Sequence, residues 1–111
     1  KPFKGGQKTR KKKKEYLSSH LSQETKINRL RKMADLNPEM QLEYADALNE
    51  ALLLRMKIEK QISEVDESIL SEVLFQKYIF GKTLEDIGEV LNYSTRHIER
   101  LHVKALDKFK M

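Results

Sequence analysis

Cysteine is absent from this chain of 111 residues, which excludes a disulfide framework and any thiolate metal site. Tryptophan is absent as well, and only two prolines occur, Pro2 and Pro38. No apolar run approaches the ~20 residues that cross a bilayer, so no membrane partner is expected. The start of the chain is basic but lacks a following apolar core, so it does not read as a secretory signal.

Chemistry of the enzymatic kind is also missing. Gly5-Gly6 lacks the flanking strand and helix that a phosphate loop needs. No nucleophile has a plausible base and orienting partner. The only histidines are His20, His97 and His102, and the last two are five positions apart, not the three or four that bring helix side chains together. No enzyme activity, metal or cofactor is expected. The four tyrosines and four phenylalanines are scattered at core-like positions, which argues against a platform for stacking single-stranded bases.

What the chain does have is charge, unevenly placed. Its 22 basic and 17 acidic residues leave a net charge of +5. Residues 1–14 hold eight Lys or Arg and no acid, whereas residues 15–93 carry a net −6. Positive charge returns in residues 94–111. A run such as Arg10, Lys11, Lys12, Lys13 and Lys14 is normally disordered and meets polyanions. It is expected to act as a flexible arm that adds salt-sensitive, sequence-independent affinity for phosphates.

The last third has the clearest local pattern. Thr83 and Asp86 form a shortened capping box, and Leu84, Ile87, Gly88 and Leu91 share the helical face that follows. Gly88 is a poor helix former, which points to close approach by another helix. Asn92 tolerates the left-handed backbone that ends a helix, and Ser94 can cap the next one. Ile98, Leu101, Ala105 and Phe109 then repeat at helical spacing. Two capped helices with a turn of about three residues between them make a helix-turn-helix.

With Ile98 and Ala105 inward, the helical period places Arg96, Arg100, Val103 and Asp107 outward, with Thr95 at the exposed N-terminal end. In this motif the second helix enters the major groove of double-stranded DNA by its N-terminal part. Thr95, Arg96, Arg100 and Val103 are the expected base readers, because an arginine fork can meet O6 and N7 of guanine together. Ser94, His97, Lys104 and Lys108 are the expected phosphate contacts, joined by the basic arm.

Residues 70–109 resemble the fourth conserved region of bacterial sigma factors, which binds the upstream promoter element. The matching phrases are Lys77-Tyr-Ile-Phe-Gly81, Leu84-Glu-Asp-Ile-Gly88, Leu91-Asn-Tyr-Ser94 and Arg100-Leu-His-Val-Lys-Ala-Leu-Asp-Lys-Phe109. They are similar above all to small sigma-like proteins of bacteriophages and prophages, including ArpU-type late transcriptional regulators. Those often carry Tyr-Ser-x-Arg before a Leu-His or Ile-His pair and an Ala-Leu, matched here by Tyr93, Ser94, Arg96, Leu101, His102, Ala105 and Leu106. The resemblance implies transcription regulation in the cytoplasm of a bacterial host, at the nucleoid when DNA is bound. Principal sigma factors usually place Glu and Gln where this chain has Arg96 and Arg100, so its target sequence should differ. Asn92 also replaces the glycine most often found in the turn. Nothing resembles the family's other regions, and a complete sigma factor is not expected.

The front half reads as helical. Leu17, Leu21, Ile27, Leu30 and Ala34 form a thin stripe that ends at Asn37-Pro38, where Asn37 can cap a new helix. Met40, Tyr44, Ala47, Ala51, Leu54, Ile58 and Val65 form a coiled-coil-like stripe over more than three heptads. Leu52-Leu53-Leu54 widens it, so this helix is expected to bury more than one side. Asp66 can cap a further helix that ends at Gly81.

The expected fold is all-α: a basic arm over 1–14, a helical hairpin over 15–65 and a helix-turn-helix domain over 66–111. The hairpin is expected to set a homodimer or to bind RNA polymerase. Two other assignments fit the pattern. One is a phage small terminase subunit recognising packaging-site DNA; the other is a polymerase-binding interaction protein without DNA readout.

Overall fold

The structure, a computed structural model, describes the backbone of residues 2–111 and the side chains of residues 9–111. Lys1 and the side chains of the first turns of the arm lie outside the described residues. All regular structure among the described residues is helical: α1 (Pro2–Leu36), a 3-10 turn (Pro38–Met40), α2 (Gln41–Ser63), α3 (Ser68–Leu74), α4 (Leu84–Leu91) and α5 (Thr95–Lys108).

Helix α1 has 35 residues, about 50 Å at the helical rise, and it accounts for the 51 Å longest dimension. Of the flexible arm expected over 1–14, residues 2–14 are instead the first part of this helix. Lys and Arg are good helix formers, and two of them are tied to the far end of the chain. Arg10 makes a two-pronged ion pair with Asp107, at 2.8 and 3.1 Å. The Lys13 ammonium donates to the carbonyls of Leu106 (2.7 Å) and Asp107 (3.4 Å) in the last turn of α5. A cation at that end complements the helix dipole and satisfies carbonyls with no partner in the helix.

Helices α1 and α2 form an antiparallel hairpin. Tyr16 donates to Gln61, and His20 meets Glu59 at 2.8 Å, so partner numbers fall as residue numbers rise. Asn37 does not cap the next helix: its amide donates back to the Met33 carbonyl at 3.1 Å and closes α1. Asp66 is likewise not a cap; Glu67 holds that position with extended backbone and no side-chain bond. Leu17, Ile27, Ala51, Ile58 and Ile62 are buried along the seam. The widening at Leu52–Leu54 does not bury a second side, since Leu53 stays exposed, as do Leu42 and Met56.

The hairpin is not a module separate from residues 66–111. Leu17, Ile58, Ile62 and Val65 share one core with Leu70, Leu74, Tyr78, Leu106 and Phe109. The buried Ser71 hydroxyl donates to the Ile62 carbonyl at 3.0 Å and fastens α3 to the end of α2. A segment of about 45 residues buries little surface by itself, and the base of the hairpin supplies what it lacks. A second, small cluster of Val73, Ile87 and Ile98, packed by Leu84, Leu91 and Leu101, holds α4 and α5 against α3.

After Leu74 the chain widens into a π turn over Phe75–Ile79, where the Phe80 N–H reaches the Phe75 carbonyl at 3.0 Å. Gly81, at φ +70°, then turns the chain toward α4.

Candidate nucleic-acid interface

Helix α4 begins with the capping box read from the sequence. The Asp86 N–H donates to the Thr83 hydroxyl at 3.1 Å, and the Thr83 N–H points back to the Asp86 carboxylate at 3.5 Å. It ends at Asn92, at φ 63°, the left-handed conformation expected there. Only Asn92, Tyr93 and Ser94 separate α4 from α5, and the Ser94 hydroxyl accepts the His97 N–H at 3.1 Å.

Gly88 sits at a close approach, as expected: the turn is nearest, and Ile98 of α5 follows, 3.6 Å from where a Cβ would stand. A Cβ there would meet the Tyr93 carbonyl oxygen at 2.7 Å.

The inward face of α5 buries Ile98, His102, Ala105 and Leu106. Its outward face exposes Arg96, Glu99, Arg100, Val103, Lys104 and Asp107. Thr95 is half-buried at the N-terminal end. The residues expected to read bases thus lie along one side of α5. Among the described residues, neither Arg96 nor Arg100 has an ion pair, and both forks are free to bind.

The residues expected to hold phosphates are more divided. His97 stacks at 4.6 Å against the Tyr93 ring and steadies the turn. Lys104 and Lys108 both lie on Glu67, at 3.5 and 3.2 Å. Lys108, with Lys104, holds that carboxyl below the usual carboxylate range. Arg10 does the same for Asp107 and is itself held more firmly charged by that hydrogen bond. Asp107 would otherwise present a bare negative charge on the outward face of α5. Lys11, Lys12 and Lys14 remain exposed.

His102 is an interior residue. Its Nε2 and the Tyr78 hydroxyl share a hydrogen bond of 2.7 Å. Burial, with Lys77 and Lys14 nearby, pushes the imidazole pKa down to about 4, so the ring is neutral at pH 7 and can accept. Burial also pushes Tyr78 up to about 12.

Three residues of this surface escaped the sequence reading. Glu99 shares a shallow cleft with Thr95, Thr83 and Lys77. Its position on the outward side of α5 is legible from the helical period. Lys77 and Lys82 reach the same region only because the π turn and Gly81 redirect the chain, and no local pattern announces that.

Among the described residues, no group of His, Asp and Glu is arranged to hold a metal ion, and no helix is long and apolar enough to cross a membrane. No known protein family, no curated protein and no solved structure matches this chain.

Proposed function

We propose that the chain is a sequence-specific, double-stranded DNA-binding transcriptional regulator, of the phage or prophage sigma-like kind. In this reading α4, the three-residue turn and α5 are a helix-turn-helix, and α5 lies in the major groove. One observation carries it: α5 buries Ile98, His102, Ala105 and Leu106 on one side and presents Arg96, Arg100 and Val103 on the other, with neither guanidinium ion-paired among the described residues. Glu67 and Asp107 take up other cations and leave these two free.

Arg96 and Arg100 read guanines through O6 and N7, and Val103 meets a thymine methyl. Glu99, between them, is placed to accept from a cytosine amino group. The resemblance of residues 70–109 to sigma region four supports the same role and adds promoters as the site of action. RNA polymerase, or a second copy of the chain, is then the partner of the projecting hairpin.

The test is selection from a randomised duplex pool at near-physiological salt, run in parallel with an Arg96→Ala/Arg100→Ala double variant. A defined motif that disappears in the variant supports base reading by α5, and a palindromic motif adds a dimer. Motif-free binding unaffected by the double substitution would sink the reading.

A further inference from the structure

Four cations near α5 are engaged: Arg10 by Asp107, Lys13 by carbonyls, Lys104 and Lys108 by Glu67. Besides Arg96 and Arg100, three others are held by no acid among the described residues, although Lys77 lies over the Tyr78 ring, 5.7 Å from its centroid. Lys14 from α1, Lys77 from the π turn and Lys82 from the loop before α4 line one open cleft of about 550 Å³. None of the three makes an ion pair among the described residues, and no carboxylate lines the cleft.

The cleft has a built floor. Tyr78 and His102, joined at 2.7 Å and buried, close it from below. The ring is neutral, so it places neither a competing anion nor a fourth cation there. Ser18, Leu21, Thr83 and Leu84 line its walls. Lys77 also lines the neighbouring cleft with Thr95 at the start of α5, so the two surfaces are continuous. Glu85 and Glu99 border only that second cleft, which confines an anion to the α1 side.

We infer that the cleft between α1, the π turn and Thr83 is a phosphate-binding site, with Lys14, Lys77 and Lys82 as its cations. It clamps one stretch of the DNA backbone beside the groove that α5 enters. This inference rests on the DNA-binding reading and gives it a contact set that joins three separate segments of chain. Lysine suits the task, being a compact point charge on a flexible stem that follows a backbone without demanding a fixed geometry. Because α1 contributes Lys14, the clamp also explains why the hairpin is built into the DNA-binding core.

The experiment compares the full chain with a Lys14→Gln/Lys77→Gln/Lys82→Gln variant on its selected site and on random duplex, at a series of salt concentrations. A control variant, Lys32→Gln/Lys57→Gln/Lys60→Gln, removes the same charge from the hairpin, where all three side chains are exposed. Circular dichroism checks that each variant is folded. The clamp variant should bind both duplexes more weakly, with its preferred motif intact. Its slope of log affinity against log salt should shrink by about two to three, near one per lost phosphate contact. The control should keep the parent slope. An unchanged slope in the clamp variant, or an equal loss in the control, overturns the clamp while leaving base reading by α5 intact. Absence of duplex binding by the parent overturns the DNA reading, and DNA as the phosphate source with it. Amide shifts at Gly81–Thr83 on titration with inorganic phosphate would then mark a free-phosphate site instead.

Discussion

Gly88 and Tyr93 are locked together from both directions: the Tyr93 N–H donates to the Gly88 carbonyl at 2.8 Å, and the Tyr93 carbonyl lies 2.7 Å from where a Gly88 Cβ would stand. The turn can fold tightly onto α4 only because that Cβ is missing. Gly88→Ala should therefore lower stability by about 1–3 kcal/mol, although alanine favours an isolated helix by about 1 kcal/mol. Urea unfolding measures the sum. A midpoint equal to or above the parent's would mean that the turn relaxes without loss.

The Tyr78–His102 pair makes stability depend on pH in a defined window. The folded His102 pKa, about 4, lies below the 6.5 of a free histidine. Folding favours the neutral ring, so its contribution is fully present above about pH 6.5 and is lost as pH falls toward 4. The gap corresponds to about 3 kcal/mol at most. His102→Gln keeps an acceptor for the Tyr78 hydroxyl and removes the titration. Unfolding free energies at pH 7.5, 6, 5 and 4 should fall steeply for the parent and less for the variant. Below that window Glu67 and Asp107, whose pKa values are lowered by their lysine and arginine partners, continue the loss in both proteins. Parallel curves between pH 6.5 and 4 would remove His102 as the cause.

Arg100 is exposed on the outward face of α5 and makes no ion pair among the described residues. On a selected site, Arg100→Ala should cost about 1–3 kcal/mol and relax the preference at one base pair. Fluorescence anisotropy with single-base variants of the site reads both effects. Equal loss on selected and random duplexes would reassign Arg100 to a phosphate.

The beginning of α1 is held by surface interactions, so its local stability should fall when they are cut. Arg10→Ala/Lys13→Ala is expected to leave the global unfolding midpoint almost unchanged, because exposed ion pairs contribute little. Hydrogen exchange should nevertheless quicken at the amides up to about Lys14 and in the last turn of α5. Unaltered exchange would mean that the helix there persists without its contacts to α5.

Much of the local structure was legible because it depends on neighbours in sequence. Thr83 with Asp86, Asn92 at the turn and Ser94 before α5 behave as their side chains dictate, since a cap needs partners only two or three residues away. The outward row of Arg96, Arg100 and Val103 followed from the period of a helix whose inner face was already marked. Errors arose where remote segments intervene. Residues 2–14 became helix, with Arg10 and Lys13 finding the end of α5 more than ninety positions away; at Asn37 a local alternative won, the bond back to Met33 four residues earlier.

The sequence by itself determined that the chain is helical, where α4 and α5 begin, and which sides of them face inward, because hydrophobic period and capping act over a few residues. Only the tertiary structure decided that the hairpin base and the C-terminal helices share one core. It likewise assigned Arg10, Lys13, Lys104 and Lys108 to internal partners and gathered Lys14, Lys77 and Lys82 around a single cleft. Those outcomes depend on distances between segments far apart in the chain, set by packing around Leu17, Ile62, Leu74 and Phe109, and no local pattern of residues encodes them.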